Sequence, residues 1–161
     1  MQKVDAEDFF DRMWSKFKAG FGDVGGNYWL GNDQIHQLTK DGGYKLRVDF
    51  YAESYDQQRY WYWAEYGTFI VADESNNYRL TIGGYTGDAG DIFYDIDDMM
   101  FSTKDNDHDG SVYNVAADEK HFGFWHDYNG TECELMGRNE QFYCTHIHMS
   151  LITSRMWLQC K

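Results

Sequence analysis

The feature of this sequence that most constrains its fold is a series of apolar–polar alternations between residues 44 and 82. Residues 44–50 place Tyr, Leu, Val and Phe at even positions and Lys, Arg and Asp between them, which predicts a strand with one buried face. Further strand patterns cover residues 59–72 and 78–82, and only short polar turns separate the segments. Strands in series without long helices between them favour an antiparallel sheet.

A helix is predicted ahead of the sheet, in residues 5–20, and Gly20 ends it. Its apolar side chains recur at helical spacing: Phe9, Phe10, Met13, Trp14 and Phe17. We interpret this stripe as core rather than as a cofactor site. A short buried strand is predicted at residues 27–30, and a short segment, residues 34–39, follows it. His36 in that segment is interpreted as a structural histidine with a satisfied ring.

Size and charge limit the classes of function. The 161 residues suit one domain with a workable core. There are 14 Lys and Arg against 27 Asp and Glu, a net charge of −13, which argues against a nucleic-acid partner and suits a cation-binding protein. No apolar run reaches about 18 residues, so no membrane span is predicted. Aromatic residues make up 19% of the chain, enough to build a core and line a binding surface.

The strongest candidate for a metal site is the acidic loop, residues 105–114. Asp105, Asp107 and Asp109 alternate along it, so their carboxylates can converge on one point. Converging carboxylates need a cation, and Ca²⁺ prefers oxygen ligands. A solvated acidic turn is the alternative, because these residue types are common in loops. An EF-hand is excluded, since position twelve counted from Asp105 is Ala116 rather than Glu.

Several motifs closely resemble the signature of fibrinogen C-terminal-like domains. Gly-Phe-Gly at residues 20–22 is followed by Tyr-Trp-Leu-Gly-Asn-Asp-Gln-Ile-His at 28–36 and Leu-Thr at 38–39. Further matches lie at residues 44–49, 69–74, 78–80, 87–91 and 101–105. Together they cover about residues 2–114 in register, which is implausible by chance.

The resemblance implies an α+β fold in which short helices flank a central twisted antiparallel sheet. A loop-rich subdomain that binds calcium completes the family's fold. The expected organisation is therefore one fibrinogen-like domain over residues 1–161. Residues 1–86 would form the sheet subdomain and residues 87–161 the loop-rich one, with divergence after about residue 127. The family's N-terminal subdomain has no counterpart in this sequence.

The resemblance also implies a ligand set for the calcium ion. Members of the family hold calcium with two aspartates of the acidic loop and two backbone carbonyls just downstream. Aligned on Asn114, the implied ligands are the side chains of Asp107 and Asp109 and the carbonyls of Ser111 and Tyr113. Asp105 would lie in the outer shell. The residue pattern and the resemblance thus select the same loop but differ in how many aspartates coordinate.

Many members of the family are secreted lectins of innate immunity that bind acetylated groups beside the calcium loop, and others bind protein partners. Their pocket follows Asn-Cys-Ala and Gly-Trp-Trp…Cys-His segments. Here residues 114–116 are Asn-Val-Ala and residues 123–127 are Gly-Phe-Trp-His-Asp, so the pocket cysteines are missing. The candidate ligand-binding residues are His121, Phe124, Trp125, His126 and Tyr128. The alternative for Phe124 and Trp125 is a place in the core.

The three cysteines are odd in number and lack zinc-site spacing. Cys133 and Cys144 are the closest pair in sequence and a plausible disulfide. Sequence leaves the connectivity among Cys133, Cys144 and Cys160 open, and the leftover thiol could be buried or could link chains into a homo-oligomer. Asn129 begins an Asn-Gly-Thr glycosylation sequon, which is used only in the secretory pathway. The first five residues do not resemble a signal peptide, so a secreted protein would contain this chain as a mature fragment or as part of a longer chain.

No catalytic constellation is recognisable: nucleophile elbow, HExxH and phosphate-binding glycine loop are all missing from the sequence. We therefore expect binding rather than catalysis. The first hypothesis is a secreted, calcium-dependent, lectin-like module that binds acetylated or other glycans. The second is a protein–protein interaction or structural module in which calcium only stabilises the loops.

Overall fold

The computed structural model describes residues 1–5, 9–54, 56–127, 133–137, 143–144 and 149–161. Its strands are β1 (Gln2–Lys3), β2 (Phe21–Gly22), β3 (Tyr28–Trp29), β4 (Tyr44–Glu53), β5 (Arg59–Val71), β6 (Leu80–Gly87), β7 (Tyr143–Cys144) and β8 (Met149–Cys160). The helices are α1 (Trp14–Ala19) and α2 (Asn32–Thr39). A 3-10 turn covers Glu74–Asn76 and a π-helical turn covers Ala116–Lys120.

The strands form one antiparallel sheet in the order β2-β3-β1-β8-β4-β5-β6, and β7 pairs with β8. This arrangement confirms the antiparallel sheet that the alternating segments predict. The last strand lies in the middle, between β1 and β4. The sheet is therefore built from both ends of the chain, and the division at residue 86 is corrected: residues 149–160 belong to the sheet and not to the loop-rich part.

The alternation in β4 sorts its side chains as predicted. Leu46, Val48 and Phe50 are fully buried on the core face. On the outer face the guanidinium of Arg47 lies 4.2 Å from the ring centroid of Trp63 and pairs with Asp49 at 2.8 Å. Within the described ranges, no helix is long and apolar enough to cross a membrane.

Three elements differ from the sequence predictions. Helix α1 begins at Trp14, and residues 9–13 are not helical although Phe10 is buried. Residues 34–39, predicted only as a short segment, belong to helix α2, which begins at Asn32 and packs around the buried Ile35. Strand β6 does not end at the two glycines, residues 83–84, but continues to Gly87. Tyr66 on β5 pairs with Tyr85, the residue that follows the two glycines.

Two glycines of the signature motifs hold the end of α1 against the start of α2. Gly20 and Gly31 have φ of 92° and 107°, a region that favours glycine. A Cβ on Gly20 would lie 2.5 Å from the carbonyl oxygen of Leu30, and one on Gly31 would lie 2.8 Å from the carbonyl carbon of Ala19. The spacing of these motifs therefore reflects a close approach of two backbones.

An aromatic cluster joins the sheet to the loop-rich part. Phe101 lies four residues before Asp105, the first residue of the acidic loop. Its ring centroid is 5.0 Å from that of Trp125 and 5.2 Å from that of Phe17. Phe17 in turn contacts Trp29 at 5.4 Å. All four rings are at most 1% exposed. The acidic loop is thus attached to a rigid core.

Candidate calcium loop and ligand site

The acidic loop is anchored through the residues that precede it. Ser102 donates its N–H to the carbonyl of Phe124 at 2.9 Å and accepts the N–H of Phe124 at 3.1 Å. The hydroxyl oxygen of Ser102 also accepts the N–H of His108 at 2.8 Å. These bonds place the loop beside residues 121–127, which carry the predicted ligand-binding positions.

Asn114 ties the two ends of the loop together. Its side-chain amide donates to the carbonyl of Thr103 at 3.0 Å, and its side-chain oxygen accepts the N–H of Ala117 at 2.9 Å. Asn114 was predicted only as the residue on which the loop aligns with the family, and neither this role nor that of Ser102 was predicted. The Asn of the family motif was the available signal for Asn114.

Asp109 is the buried carboxylate of the loop, with 2% of its surface exposed. One carboxylate oxygen accepts the N–H of Ser111 at 2.8 Å, and the other accepts the N–H of Val115 at 2.9 Å. Among the described residues, no basic side chain pairs with Asp109. Each carboxylate oxygen still has a lone pair, so a buried negative charge without a basic partner favours a bound cation.

Asp107 is exposed, and its carboxylate accepts the N–H of Asp109 at 3.2 Å. This bond keeps the two aspartates in one turn, and Ser111 and Tyr113 follow directly. Two carboxylates and two carbonyls are oxygen donors of the kind that Ca²⁺ prefers, so the residues present fit the ion. In the described part of the chain, no three or more His, Cys, Asp or Glu side chains gather as a metal site. A ligand set completed by carbonyls does not require such a group.

Asp105 is committed elsewhere. Its carboxylate accepts the N–H of Trp14, the first residue of α1, at 2.8 Å, and the hydroxyl of Thr103 at 2.8 Å. It therefore caps a helix that lies 91 residues earlier in the chain. The expectation that three carboxylates converge is not met, because Asp105 is directed to α1.

The predicted ligand-binding residues fall into two groups. Phe124 and Trp125 are 2% and 1% exposed in the core, and the indole of Trp125 donates to the carbonyl of Tyr78 at 2.7 Å. His126 is fully buried, with Nε2 at 2.9 Å from the carbonyl oxygen of Phe122. His121 is partly exposed and has φ of 59°. The core alternative thus holds for the two large rings.

Some predicted positions lie outside the described residues or depend on them. Tyr128 and Asn129 lie outside that part, as does the side chain of Cys144. Cys133 is buried, whereas Cys160 is exposed and has a free thiol. The disulfide between Cys133 and Cys144 stays a prediction.

Residues 1–159 match the model of the C-terminal globular domain of fibrinogen beta and gamma chains. The chain belongs to this family. Fibrinogen-like protein A of Apostichopus parvimensis is 36% identical over 146 residues, which are 88% of this chain and 48% of the relative. Human tenascin-R is 41% identical over 131 residues, 81% of this chain and 9% of the relative. The chain thus spans half or less of the length of these fibrinogen-family relatives.

Solved structures of the fibrinogen family share the fold. The fibrinogen-like globe domain of human ANGPTL2 aligns with a TM-score of 0.84 and 31% identity, covering 99% of this chain and 77% of that one. A lamprey fibrin D-dimer complexed with the peptide Gly-His-Arg-Pro-amide aligns with a TM-score of 0.79 and 26% identity, covering 98% and 59%. The family and the α+β fold predicted from the sequence are confirmed. Fibrinogen-like domains are non-enzymatic recognition or structural modules, in agreement with the prediction of no catalysis.

Proposed function

We propose that this fibrinogen-like domain is a secreted recognition module that binds one Ca²⁺ in the acidic loop. The ion would be held by the carboxylates of Asp107 and Asp109 and the carbonyls of Ser111 and Tyr113. The observation that carries the proposal is the buried Asp109 carboxylate, which has no basic partner among the described residues. Secretion is proposed because the related tenascins and angiopoietin-related proteins are extracellular.

The bound ion supplies positive charge that neutralises the two carboxylates and links the turn to the carbonyls that follow it. The chain itself supplies the rest of the arrangement. Ser102 bonds to Phe124 and Asn114 closes the loop onto Thr103, so a loop stiffened by calcium presents a fixed surface beside residues 121–127. A fixed surface lowers the entropy that is lost when a ligand binds.

The proposed ligand is an acetylated or other glycan, bound in the manner of an innate-immune lectin. His121 supplies a polar ring at the surface beside the loop, and Tyr128 is the remaining aromatic candidate. Phe124 and Trp125 support this surface from below rather than stacking on a sugar, because both are buried.

A protein or peptide ligand is the second candidate. The burial of Phe124, Trp125 and His126 removes three of the five residues from the expected aromatic platform, which weakens the case for a sugar. The lamprey fibrin D-dimer with a bound tetrapeptide amide shares the fold. In this alternative calcium stabilises the loops, and a homo-oligomer linked through Cys160 would raise avidity.

Retention on an immobilised N-acetylated sugar, in calcium and in chelator, distinguishes the two candidates. We expect the immobilised sugar to retain the wild type only in calcium, and we expect it not to retain Asp107→Ala in either condition. Asp105→Ala is the matched control, since it removes an aspartate of the same loop that caps α1 instead. If the wild type binds calcium but is not retained, the glycan proposal fails and a protein or peptide ligand replaces it.

A further inference from the structure

A cavity of about 240 Å³ lies between the sheet and helix α2, away from the acidic loop. Leu46 of β4, Phe69 of β5 and Leu158 of β8 line it on the side of the sheet. Ile35 and Leu38 line it on the side of α2. Tyr28 and Trp29 of β3 complete this part of the lining, so aliphatic side chains and rings from five elements surround a cavity that is open on one side.

No side chain that lines the cavity is charged. Among the described lining residues only Tyr28 has a hydroxyl group, and Met1 adds its terminal amine, which donates to the carbonyl of Met156 at 2.9 Å. Burial lowers the pKa of this amine to about 5, so it is largely uncharged at neutral pH. The indole of Trp29 donates to the carbonyl of Phe17 and to the side chain of Asn32, and the indole of Trp125 donates to a backbone carbonyl. These two rings can therefore contact a ligand only through their carbon surfaces.

Ring and sulfur atoms make up much of the remaining surface. Three tryptophans, Phe69, Tyr28 and two methionines are among the lining residues. Aromatic rings favour offset or edge contacts with other rings, and thioethers contact rings favourably. A net charge of −13 makes the approach of an anion unfavourable.

We propose that this cavity binds a small uncharged aromatic molecule. An apolar cavity of about 150 Å³ is enough to hold benzene. The larger volume here therefore has room for a fused bicyclic ring. Leu38 and Trp157 are 41% and 47% exposed, which places both side chains at the mouth of the cavity. No residue of the acidic loop lines the cavity, so the site acts independently of the proposed calcium function.

Titration with 5-fluoroindole, followed by fluorine NMR, tests the site. We expect the wild type to bind in the submillimolar range, equally in calcium and in chelator. Leu38→Trp places an indole at the entrance and weakens binding by at least about tenfold. Val24→Trp is the matched control, since Val24 is 77% exposed and does not line the cavity. It should bind as the wild type does.

Nuclear Overhauser contacts give a readout that does not depend on a variant folding. In the wild type with labelled methionine methyl groups, the probe should contact the methyl of Met156, assigned by its loss in Met156→Leu. Absence of binding by the wild type would overturn the proposal. So would equal affinities of Leu38→Trp and Val24→Trp, or contacts confined to methionines outside the lining.

Discussion

Three aspartates of one loop, identical in type, occupy three different environments. Asp105 caps α1, Asp107 is exposed, and Asp109 is buried with two backbone N–H groups bonded to it. The bond of Asp105 to α1 leaves Asp107 and Asp109 as the candidate ligands of a cation. A residue's place in the hydrogen-bond network, and not its type, therefore decides its role.

Replacement of Asp105 and of Asp107 by Ala should have different effects on the protein in chelator. Asp105→Ala removes the acceptor for the first N–H of α1 and is expected to lower the free energy of unfolding by about 1 kcal/mol. Asp107→Ala removes an exposed carboxylate and is expected to change it by no more than about 0.5 kcal/mol. Urea unfolding in chelator measures both. Equal losses would show that Asp105 is not a cap.

The residue pattern identified the loop, and the family resemblance separated Asp105 from the two proposed ligands, but neither predicted that Asp105 caps α1. Alternate spacing shows that three side chains can share a side, which is a local property. The bond from Asp105 to α1 joins residues 91 positions apart and depends on tertiary packing. His36 was correctly predicted as satisfied, since its Nδ1 lies 2.8 Å from the carbonyl oxygen of Val71.

At the scale of elements, the contact between α1 and α2 depends on the absence of a side chain at Gly31. In Gly31→Ala the new Cβ meets the backbone of Ala19 at 2.8 Å and the residue has φ of 107°. We expect a loss of at least about 2 kcal/mol, from backbone strain and overpacking. Gly25→Ala is the control, because a Cβ there meets nothing within 4 Å. Thermal unfolding compares them, and a Gly31→Ala protein as stable as the control would refute the close approach.

An ionic cluster on the surface joins α1, α2 and the 3-10 turn. Lys18 pairs with Glu74 at 2.6 Å and with Asp33 at 3.0 Å. The hydrogen bond from Tyr78, followed by that from Lys18, lowers the pKa of the Asp33 carboxyl. The hydrogen bonds from Lys18 and then from Trp14 lower the pKa of the Glu74 carboxyl. The contacts with Glu74 and Asp33 raise the pKa of Lys18.

The lowered carboxyl pKa values set the sign of a pH dependence. Carboxyls with a lower pKa when folded stabilise the protein above their unfolded values, about pH 4, and this stabilisation is lost as the pH falls through the folded values. Lys18→Met should therefore cost about 0.5 kcal/mol at pH 7, since these side chains are 37–51% exposed and screened. The cost should shrink towards pH 3 and in high salt.

Urea unfolding of wild type and Lys18→Met at several pH values measures this difference. Lys16→Met is the control, since Lys16 is exposed on the same helix and forms no ion pair within the described part of the chain. A cost for Lys18→Met that is constant with pH would exclude the ionic cause.

Alternation predicted the elements better than helical spacing did. The buried face of β4 follows from it, because a strand with one wet face has a period that the sequence shows directly. In β5 the buried positions change phase after Tyr66, from Ala64 and Tyr66 to Phe69 and Val71. The helix predicted over residues 5–20 was too long. Phe9 and Phe10 continue the apolar spacing, but they pack on Phe21 at 5.4 and 5.7 Å from non-helical backbone. Apolar spacing alone does not distinguish a helix from non-helical backbone that buries its rings at the same positions.

At the scale of the whole molecule, both ends of the chain are fixed in the sheet. Strand β8 lies between β1 and β4, and the core around Phe101 and Trp125 connects that sheet to the acidic loop. Local sequence could not show the central place of β8, because strand order depends on pairing between distant segments. The ligand could not be predicted either, since the sequence departs from the family where the pocket lies.

A count of reactive thiols tests the predicted disulfide. The exposed Cys160 should react with a thiol reagent in the native protein, giving one thiol per chain. If Cys133 and Cys144 are bonded, the count stays at one in denaturant without reductant. Cys160→Ser should abolish the reaction in both conditions. Three thiols in the denatured wild type would refute the disulfide.

Calcium binding is the central claim, and a calcium titration tests it most directly. Calorimetry of the wild type should show one ion bound per chain. At free calcium about 100 times the dissociation constant, the folded state gains about 2.7 kcal/mol, a rise in Tm of about 5–10 °C for a domain of this size. Asp107→Ala should lose most of both signals, and Asp105→Ala should keep them. A wild type with no binding heat and an unchanged Tm would contradict the account.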